Sequence, residues 1–255
     1  MVGQVLEIGR NSAAVAATLN EFLNESEGWL NRRGLTLEYH TDISSWVRHM
    51  RTAVHADGIN PTFDPAHSPV SAQNSYWLDI RDRGGSTVAC IAVRMIYTAD
   101  FSRHISSMRL WFDPPPLGME QSLDLVLPAE TPIISGRVAH YGGHWVHPSW
   151  RGREIPGLLL PLAKILTLDL FRSDWDTGIV FSKNAVRQSL VDAYGFANTV
   201  LCYSGPFPPA HRDDTLFLTY SSRAQTLSLM PHAIMKLRPR MPADDPPADR
   251  YAEIT

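Results

Sequence analysis

The stretch that decides the fold is WVHPSWRGREIPGLLL, residues 145–160. Its apolar start is typical of a strand that ends at Pro148, and its apolar end is typical of a helix that begins near Gly157. The first N–H groups of such a helix lack partners within the helix, and the helix dipole favours negative charge beside them. Because Arg151 and Arg153 are suited to phosphate oxygens, the stretch predicts an anion site. An ordinary strand-to-helix turn with two solvated arginines is the alternative interpretation.

The flanking sequence predicts alternating strands and helices. Before the loop, the patterns predict helices over 11–33 and 43–56 and strands over 35–39, 76–80, 86–97 and 134–146. After it, they predict helices over 157–171, 184–194 and 224–237 and strands over 177–182, 199–204 and 215–220. Gly142 and Gly143 indicate a bulge or a close backbone approach in the strand before the loop. This order favours an α/β fold with a mixed central sheet and helices on its faces.

Composition excludes several classes of protein. The 255 residues are 44% hydrophobic and 19% charged, which is typical of a globular chain able to bury a large core. A net charge of -3 provides no general basic field for nucleic acid. The most apolar run, 157–170, is interrupted by Pro161, Lys164 and Asp169, so no membrane span is expected. The first ten residues lack the pattern of a secretion signal.

The two cysteines, Cys90 and Cys202, each lie in an apolar run. No disulfide framework or cysteine-rich metal site follows from them, and both are expected to be inert core residues. The expected compartment is therefore the cytoplasm.

The loop resembles the coenzyme A site of the GNAT superfamily of acyl-coenzyme A-dependent N-acyltransferases. In that family a strand ends in V-x-P, a loop (Q/R)-x-x-G-x-(G/A) follows, and its amides hold the coenzyme A pyrophosphate. This chain has VHP at 146–148 and RGREIP at 151–156, with Arg151 at the leading position. It departs from the family pattern at Glu154, which replaces the glycine, and at Pro156, which replaces the Gly/Ala and lacks an N–H donor.

A second family motif, N-x-x-A-x-x-L-Y-x-x-x-G-F, resembles NAVRQSLVDAYGF at 184–196. The residues in register are Asn184, Leu190, Gly195 and Phe196. The family tyrosine, often the acid that protonates the leaving thiolate, is Val191 here. Tyr194 follows three residues later, about 60° away around a helix, and is the candidate substitute. A core or rim tyrosine is the alternative role for it.

The resemblance covers about residues 35–222 and identifies the chain as a divergent relative. It implies a GNAT-like domain over 34–222 with an insertion at 113–133. An N-terminal helical extension over 1–33 and a C-terminal helix with a mobile tail over 223–255 are expected as additions. The implied activity is direct transfer of an acetyl or other acyl group from coenzyme A to an amine of a small molecule or peptide. The implied donor-binding residues are Trp145, Val146, His147, Arg151, Gly152, Arg153, Gly157 and Asn184.

Two histidines are candidate bases, because the amine must lose a proton before it attacks the thioester. His140 and His144 precede Val146 by even numbers of residues, so simple alternation places all three side chains on one face of the strand. In several family members a Glu or His base matches His140, and His144 lies nearer the reactive end. Ordinary hydrogen-bonded histidines on a half-buried strand are the alternative interpretation.

A metal site is not expected. His140, His144 and His147 form H-x3-H-x2-H, but His147 would point to the opposite face of the strand, so three ligands would not converge. No nucleic-acid or membrane partner is expected either. A homodimer formed through a sheet edge or by exchange of the C-terminus is compatible with the sequence.

Two other functions stay open. The changes at Glu154, Pro156 and Val191 also suit a non-catalytic GNAT-fold binding or regulatory module. They suit equally an acyltransferase whose donor is an acyl carrier protein, because that donor has a phosphopantetheine arm but no adenosine diphosphate group.

Overall fold

A computed structural model describes residues 13–117, 123–186 and 192–238. The helices are α1 (Ala13–Asn31), α2 (Ile43–Thr52), α3 (Phe101–Ser106), α4 (Ile155–Phe171), α5 (Ser182–Ala185) and α6 (Arg223–Leu237). The strands are β1 (Thr36–His40), β2 (Ser75–Arg81), β3 (Thr87–Thr98), β4 (Gly136–Val146), β5 (Trp175–Phe181), β6 (Asn198–Phe207) and β7 (Arg212–Ser222). No helix in these ranges is long and apolar enough to cross a bilayer.

The strands form one seven-stranded sheet in the order β1-β2-β3-β4-β5-β7-β6. Neighbouring strands are antiparallel except β4 and β5, which are parallel. Parallel neighbours need a crossover, and α4 supplies it. The predicted α/β fold, a mixed central sheet with flanking helices and added helices at both ends, is confirmed.

Local side-chain contacts explain where several elements begin. Asp42 caps α2 by accepting a bond from the Ser44 N–H at 3.0 Å, as its position before an amphipathic run predicts. Asp82 closes the β2–β3 turn by accepting bonds from the N–H groups of Gly84 and Ser86 at 2.9 and 3.0 Å. These polar residues therefore fix the element boundaries through contacts with residues two to four positions away.

The main hydrophobic core lies on the face of the sheet covered by α1, α4 and α6, here called the α4 face. α1 contributes five buried apolar side chains to this core, which are Val15, Leu19, Phe22, Trp29 and Leu30. α1 ends at Asn31, and the turn that follows it ends at the predicted Gly34, where φ is +67° and a Cβ would lie 2.6 Å from Arg83 Nε. The N-terminal helix is thus part of the core rather than an appendage.

The opposite face, here called the α2 face, carries two smaller cores. α2 packs Trp46 and Met50 against Trp77 and Trp145 from the sheet. α3 and the segment that follows it pack against the part of this face formed by the start of β4 and by β6 and β7. Leu123 of the expected insertion is buried in this core.

β6 and β7 are longer than predicted and α4 begins two residues earlier, and the larger differences from the sequence prediction concern three helices. α3 was not predicted, because six residues are too few for a periodicity signal, although Asp100 caps it. α2 ends at Thr52 rather than 56, since Ala53 takes an extended backbone and His55 a positive φ of 55°. The predicted helix over 184–194 begins earlier, as α5, and its residues 187–191 lie outside the described residues. So does the predicted tail after residue 238.

Candidate active site

The centre of the sheet opens between β4 and β5. The two strands pair only from Val138 opposite Trp175 to Tyr141 opposite Gly178. Beyond this point β4 continues along β3, and β5 continues along β7. The β5 side of residues 142–146, here called the open edge, therefore has no strand beside it. Backbone N–H and C=O groups at such an edge are available to a ligand.

A β-bulge interrupts β4 at this opening, as the two glycines indicated. Cys90 pairs with Trp145 and Ala92 with Gly142, so β4 has one residue more than β3 between these pairs. Gly143 takes the left-handed conformation, with φ of +58°, and a Cβ there would overlap the Trp46 ring. Only glycine fits this position.

The bulge changes which side chains share a face. Tyr141 and Val146 both belong to the core on the α4 face, although five residues separate them. Trp145 packs on the α2 face, where the His140 ring also lies, 6.0 Å from the Phe63 ring centroid. The expectation that His140, His144 and Val146 share one face is therefore wrong, because the extra residue reverses the alternation after the bulge.

His140 lies below the opening, in the paired part of β4, and is 2% exposed. Its Nδ1 is 3.2 Å from the Thr177 hydroxyl, which itself donates to the Ala139 carbonyl at 2.9 Å. The hydroxyl proton is thus used, so Nδ1 donates and Nε2 keeps the lone pair. Burial, assisted by the charges of Arg94 and His104, lowers the pKa of His140 to about 3.

His144 lies on the open edge and contacts Tyr194. Their ring centroids are 5.9 Å apart with an interplanar angle of 77°. His144 Nε2 is buried and has no hydrogen-bond partner among the described residues. Burial lowers the pKa of His144 to about 4. Two of the predicted catalytic residues, fifty positions apart in sequence, are thus brought together, while His140 is separated from them by the sheet.

The predicted phosphate loop connects β4 to α4. Glu154 takes the left-handed conformation, with φ of +63°, at the position where the family has glycine. Among the described residues no acceptor faces the N–H groups of Glu154 and Ile155. Pro156 has no N–H, and the Gly157 N–H donates to the Glu154 carbonyl at 3.0 Å. The loop keeps the backbone turn and two free amides, but it adds a carboxylate.

A shallow depression of about 420 Å³ lies in front of this loop. It is lined by Arg33, Trp150, Gly152, Arg153 and Glu154. The guanidinium of Arg153 stacks over the Trp150 ring at 4.6 Å, and that of Arg33 stacks over Trp29 at 3.7 Å. Sequence reasoning missed Arg33, because α1 was assigned outside the GNAT-like region and only the three-dimensional packing brings its end to the loop.

The remaining predicted donor-binding residues flank the opening. The His147 N–H donates to the Val88 carbonyl at 2.8 Å, so His147 and, by alternation, Trp145 turn their backbone groups toward β3. Val146 consequently turns its N–H and C=O toward the opening, where its carbonyl accepts a bond from Arg151 Nε at 3.2 Å. The Trp145 side chain is buried, and its Nε1 donates to the Val54 carbonyl at 3.0 Å.

The other wall of the opening carries the second motif. Asn184 lies in α5, directly after β5, and is half-buried. Val191 lies outside the described residues. The loop motif therefore follows β4 and the second motif follows β5, so the two motifs flank the separation of the strands, as the resemblance implies. The fold, a mixed sheet with flanking helices, agrees with the α/β class that the sequence predicts.

Comparisons with known proteins give matches among solved structures. No protein-family model matches the chain, and no curated protein matches it. A structure of NAA60 from Arabidopsis thaliana with acetyl-CoA matches with a TM-score of 0.44 at 11% identity, over 73% of this chain and 99% of that one. An acetyltransferase of the GNAT family from Streptococcus pneumoniae matches with a TM-score of 0.39 at 10% identity, over 73% and 98%. An aminoglycoside acetyltransferase AAC(6')-Ib with coenzyme A and kanamycin matches with a TM-score of 0.40 at 12% identity, over 75% and 96%.

One group of side chains in the described ranges has metal-ligand chemistry. Glu38, His40 and Asp79 place one donor atom each within 4.8 Å of one another. Arg81 Nε already lies 2.7 Å from the Asp79 carboxylate and 3.2 Å from that of Glu38. One guanidinium thus bonds both carboxylates, and the group lies at the sheet edge away from the opening.

The cysteines are not nucleophiles in this arrangement. Both are fully buried, and burial raises the pKa of Cys202 to about 12 and that of Cys90 further. Buried thiols of this kind stay protonated.

Proposed function

We propose that the protein transfers an acyl group directly from a coenzyme A thioester to an amine. The observation that carries this proposal is the open edge of β4, which is followed by a 3-10 turn at Pro148–Trp150 and then by the loop at the start of α4. An extended ligand with amide groups can pair with such an edge as an added strand. A diphosphate at its far end then meets the free amides and the dipole of a helix N-terminus.

The charges in front of α4 support an anionic donor. Arg33 and Arg153 line the depression and outnumber the single carboxylate of Glu154. Arginine is suited to phosphate because its N–H groups match the geometry of phosphate oxygens. We assign the pyrophosphate to the N–H groups of Glu154 and Ile155, with Arg33 and Arg153 beside it. Gly152 and Gly157 leave space for the ligand, since nothing lies within 4 Å of where a Cβ would be.

The two faces of β4 suit the two proton transfers. The amine nitrogen attacks the thioester carbonyl, a C–N bond forms, the C–S bond breaks, the amine loses a proton and the thiolate gains one. The donor enters from the α4 face, which leaves the α2 face for the amine. We assign His140 to the amine side, where its Nε2 accepts the proton directly or through water. We assign His144 and Tyr194 to the thiolate side, where the Tyr194 hydroxyl can supply the proton and His144 lies beside the Tyr194 ring.

Calorimetry with coenzyme A and acetyl-CoA tests the donor site. We expect micromolar binding to the whole chain, and binding about tenfold weaker in Arg153→Ala, because the charge-assisted contact assigned to Arg153 is lost. Arg103→Ala in α3 is the matched control, because this exposed arginine lies on the other face. A panel of amino acids, polyamines and peptides then identifies the amine. No binding of either compound to the unmodified chain would overturn the proposal.

A carrier-protein donor is the second candidate, and Glu154 and Pro156 favour it. The carboxylate and the missing amide weaken the pyrophosphate site, but they leave the open edge for a phosphopantetheine arm unchanged. Donor competition separates the two candidates. Acyl transfer from an acyl carrier protein, with no transfer from acetyl-CoA, selects the carrier-protein donor. No transfer from either donor selects a non-catalytic binding module.

A further inference from the structure

One lysine of α4, the helix that begins at the phosphate loop, has a fully buried side chain. Lys164 is 0% exposed in an otherwise apolar part of the helix. Burial lowers its pKa to about 7, and the charge of Asp176 opposes this shift. Because an unpartnered buried ammonium costs several kcal/mol, the contacts of Lys164 must explain its position.

The contacts of Lys164 are to the end of the second motif. Its Nζ donates to the carbonyl oxygens of Tyr194 at 2.9 Å and Gly195 at 2.6 Å. The same atom lies 3.5 Å from the centroid of the Phe196 ring, a cation–π distance. Within the described ranges no carboxylate lies at ion-pair distance from it. The Lys164 side chain thus contacts three consecutive uncharged residues, 194–196, and has no ion-pair partner within the described ranges.

These three residues form the turn that places Tyr194. Gly195 takes a left-handed φ of +58°, and its N–H donates to the Asp192 carbonyl at 3.1 Å. The turn directs two carbonyls inward to Lys164, while the Tyr194 ring faces His144 on the open edge. Charge-assisted bonds to both carbonyls restrict the turn more strongly than neutral ones would.

We propose that Lys164 is a positioning residue, whose side chain ties the turn at 194–196 to α4 and so holds the Tyr194 ring against His144. The role of Lys164 in catalysis rests on the proposed function, whereas its contact with the turn does not. Because α4 also begins at the phosphate loop, this one side chain joins the donor-binding loop to the side chains assigned to the thiolate.

A double-mutant cycle read by NMR tests the proposal without any assay of activity. The observable is the ring-proton resonance of His144, identified by its loss in His144→Gln. Lys164→Met and Tyr194→Ala each remove the Tyr194 ring from its place beside His144. We therefore expect each to move the resonance, and Lys164→Met/Tyr194→Ala to move it no further than Tyr194→Ala alone.

The matched control is Lys236→Met, the same substitution at an exposed lysine of α6, which leaves the His144 resonance in place. If Lys164→Met does not unfold cooperatively, Lys164→Gln replaces it in the cycle, since its amide keeps N–H donors. An unchanged His144 resonance in the Lys164 variant, or two shifts that add in the double variant, would overturn the proposal.

Kinetics connect the contact to the reaction. With acetyl-CoA and the best amine of the panel, we expect kcat of Lys164→Met to fall about a hundredfold, the order expected when a catalytic group is misplaced by about 1 Å. The KM for acetyl-CoA should change less than twofold, because the phosphate loop is intact. A rise in KM with unchanged kcat would contradict a positioning role. Failure of the unmodified chain to bind coenzyme A would refute the proposed function, and the NMR cycle would still decide the contact.

Discussion

At the scale of single residues, Gly143 determines the geometry of the candidate active site. Its positive φ and the contact with Trp46 allow the extra residue that reverses the alternation along β4. As a consequence the His140 side chain lies on the α2 face and the His144 side chain lies on the α4 face. A strand without the bulge would place both histidines on the same side, where they could not serve the amine and the thiolate separately.

Gly143→Ala is expected to destabilise the protein by about 2–4 kcal/mol, because backbone strain and overlap with Trp46 add together. Urea unfolding followed by tryptophan fluorescence measures this change. Gly157→Ala is the control, since nothing lies within 4 Å of its Cβ position and alanine favours a helix. Equal midpoints for the two variants would contradict this role of Gly143.

His140 should make stability depend on pH. Its pKa is about 3 in the folded chain, against about 6.5 when unfolded, so between these values the unfolded state holds one proton more. Stability therefore falls as pH drops through this window, by about 1.4 kcal/mol per pH unit for this one group. Urea midpoints between pH 4.5 and 7 should fall less steeply in His140→Gln, whereas exposed His232→Gln should match the unmodified chain.

At the scale of elements, α4 and α1 together form the site in front of the phosphate loop. α4 supplies the helix N-terminus, and the turn after α1 supplies Arg33. Burial, followed by the charge of Arg32, lowers the pKa of Arg33, while the charge of Glu154 opposes this. Arg33 thus offsets the charge of the Glu154 carboxylate in front of the loop.

Arg33→Ala is expected to weaken coenzyme A binding about five- to tenfold. A positive charge that faces the phosphate is lost, and the negative charge of Glu154 is then offset by one arginine fewer. Calorimetry at two salt concentrations measures this, and the difference from the unmodified chain should shrink at high salt. Arg103→Ala again serves as the control. Equal affinities of the unmodified chain and Arg33→Ala would remove α1 from the donor site.

At the scale of the whole molecule, the sheet consists of two halves held together below the opening. The short parallel pairing of β4 with β5 and the core on the α4 face join them. α1 packs on α4 and α6, and Arg238 at the end of α6 bonds Glu21 and Glu25 of α1 at 2.9 and 3.0 Å. The two terminal helices thus brace the face to which we assign donor entry.

Phe22→Ala in α1 should therefore destabilise the entire domain rather than detach one helix. Phe22 is 0% exposed in the main core, and truncating such a side chain costs about 3–5 kcal/mol. Thermal unfolding should remain one transition at a lower Tm. Leu117→Ala, at a leucine that is 96% exposed, should leave Tm unchanged. A separate early transition in Phe22→Ala would mean that α1 unfolds on its own.

The sequence by itself determined most elements and the two motifs, since caps, turn residues and hydrophobic periodicity act over a few neighbouring residues. Asp42 caps α2 and Gly34 ends the turn after α1, as predicted, whereas α4 begins at Ile155, two residues before the predicted start. The bulge was also indicated, but its consequence for His140 and His144 was not, because an extra residue is defined only by pairing with β3. Tertiary structure alone decided that Arg33 reaches the phosphate loop and that Lys164 holds the turn at Tyr194. These contacts join residues far apart in the chain, and no local energy encodes them.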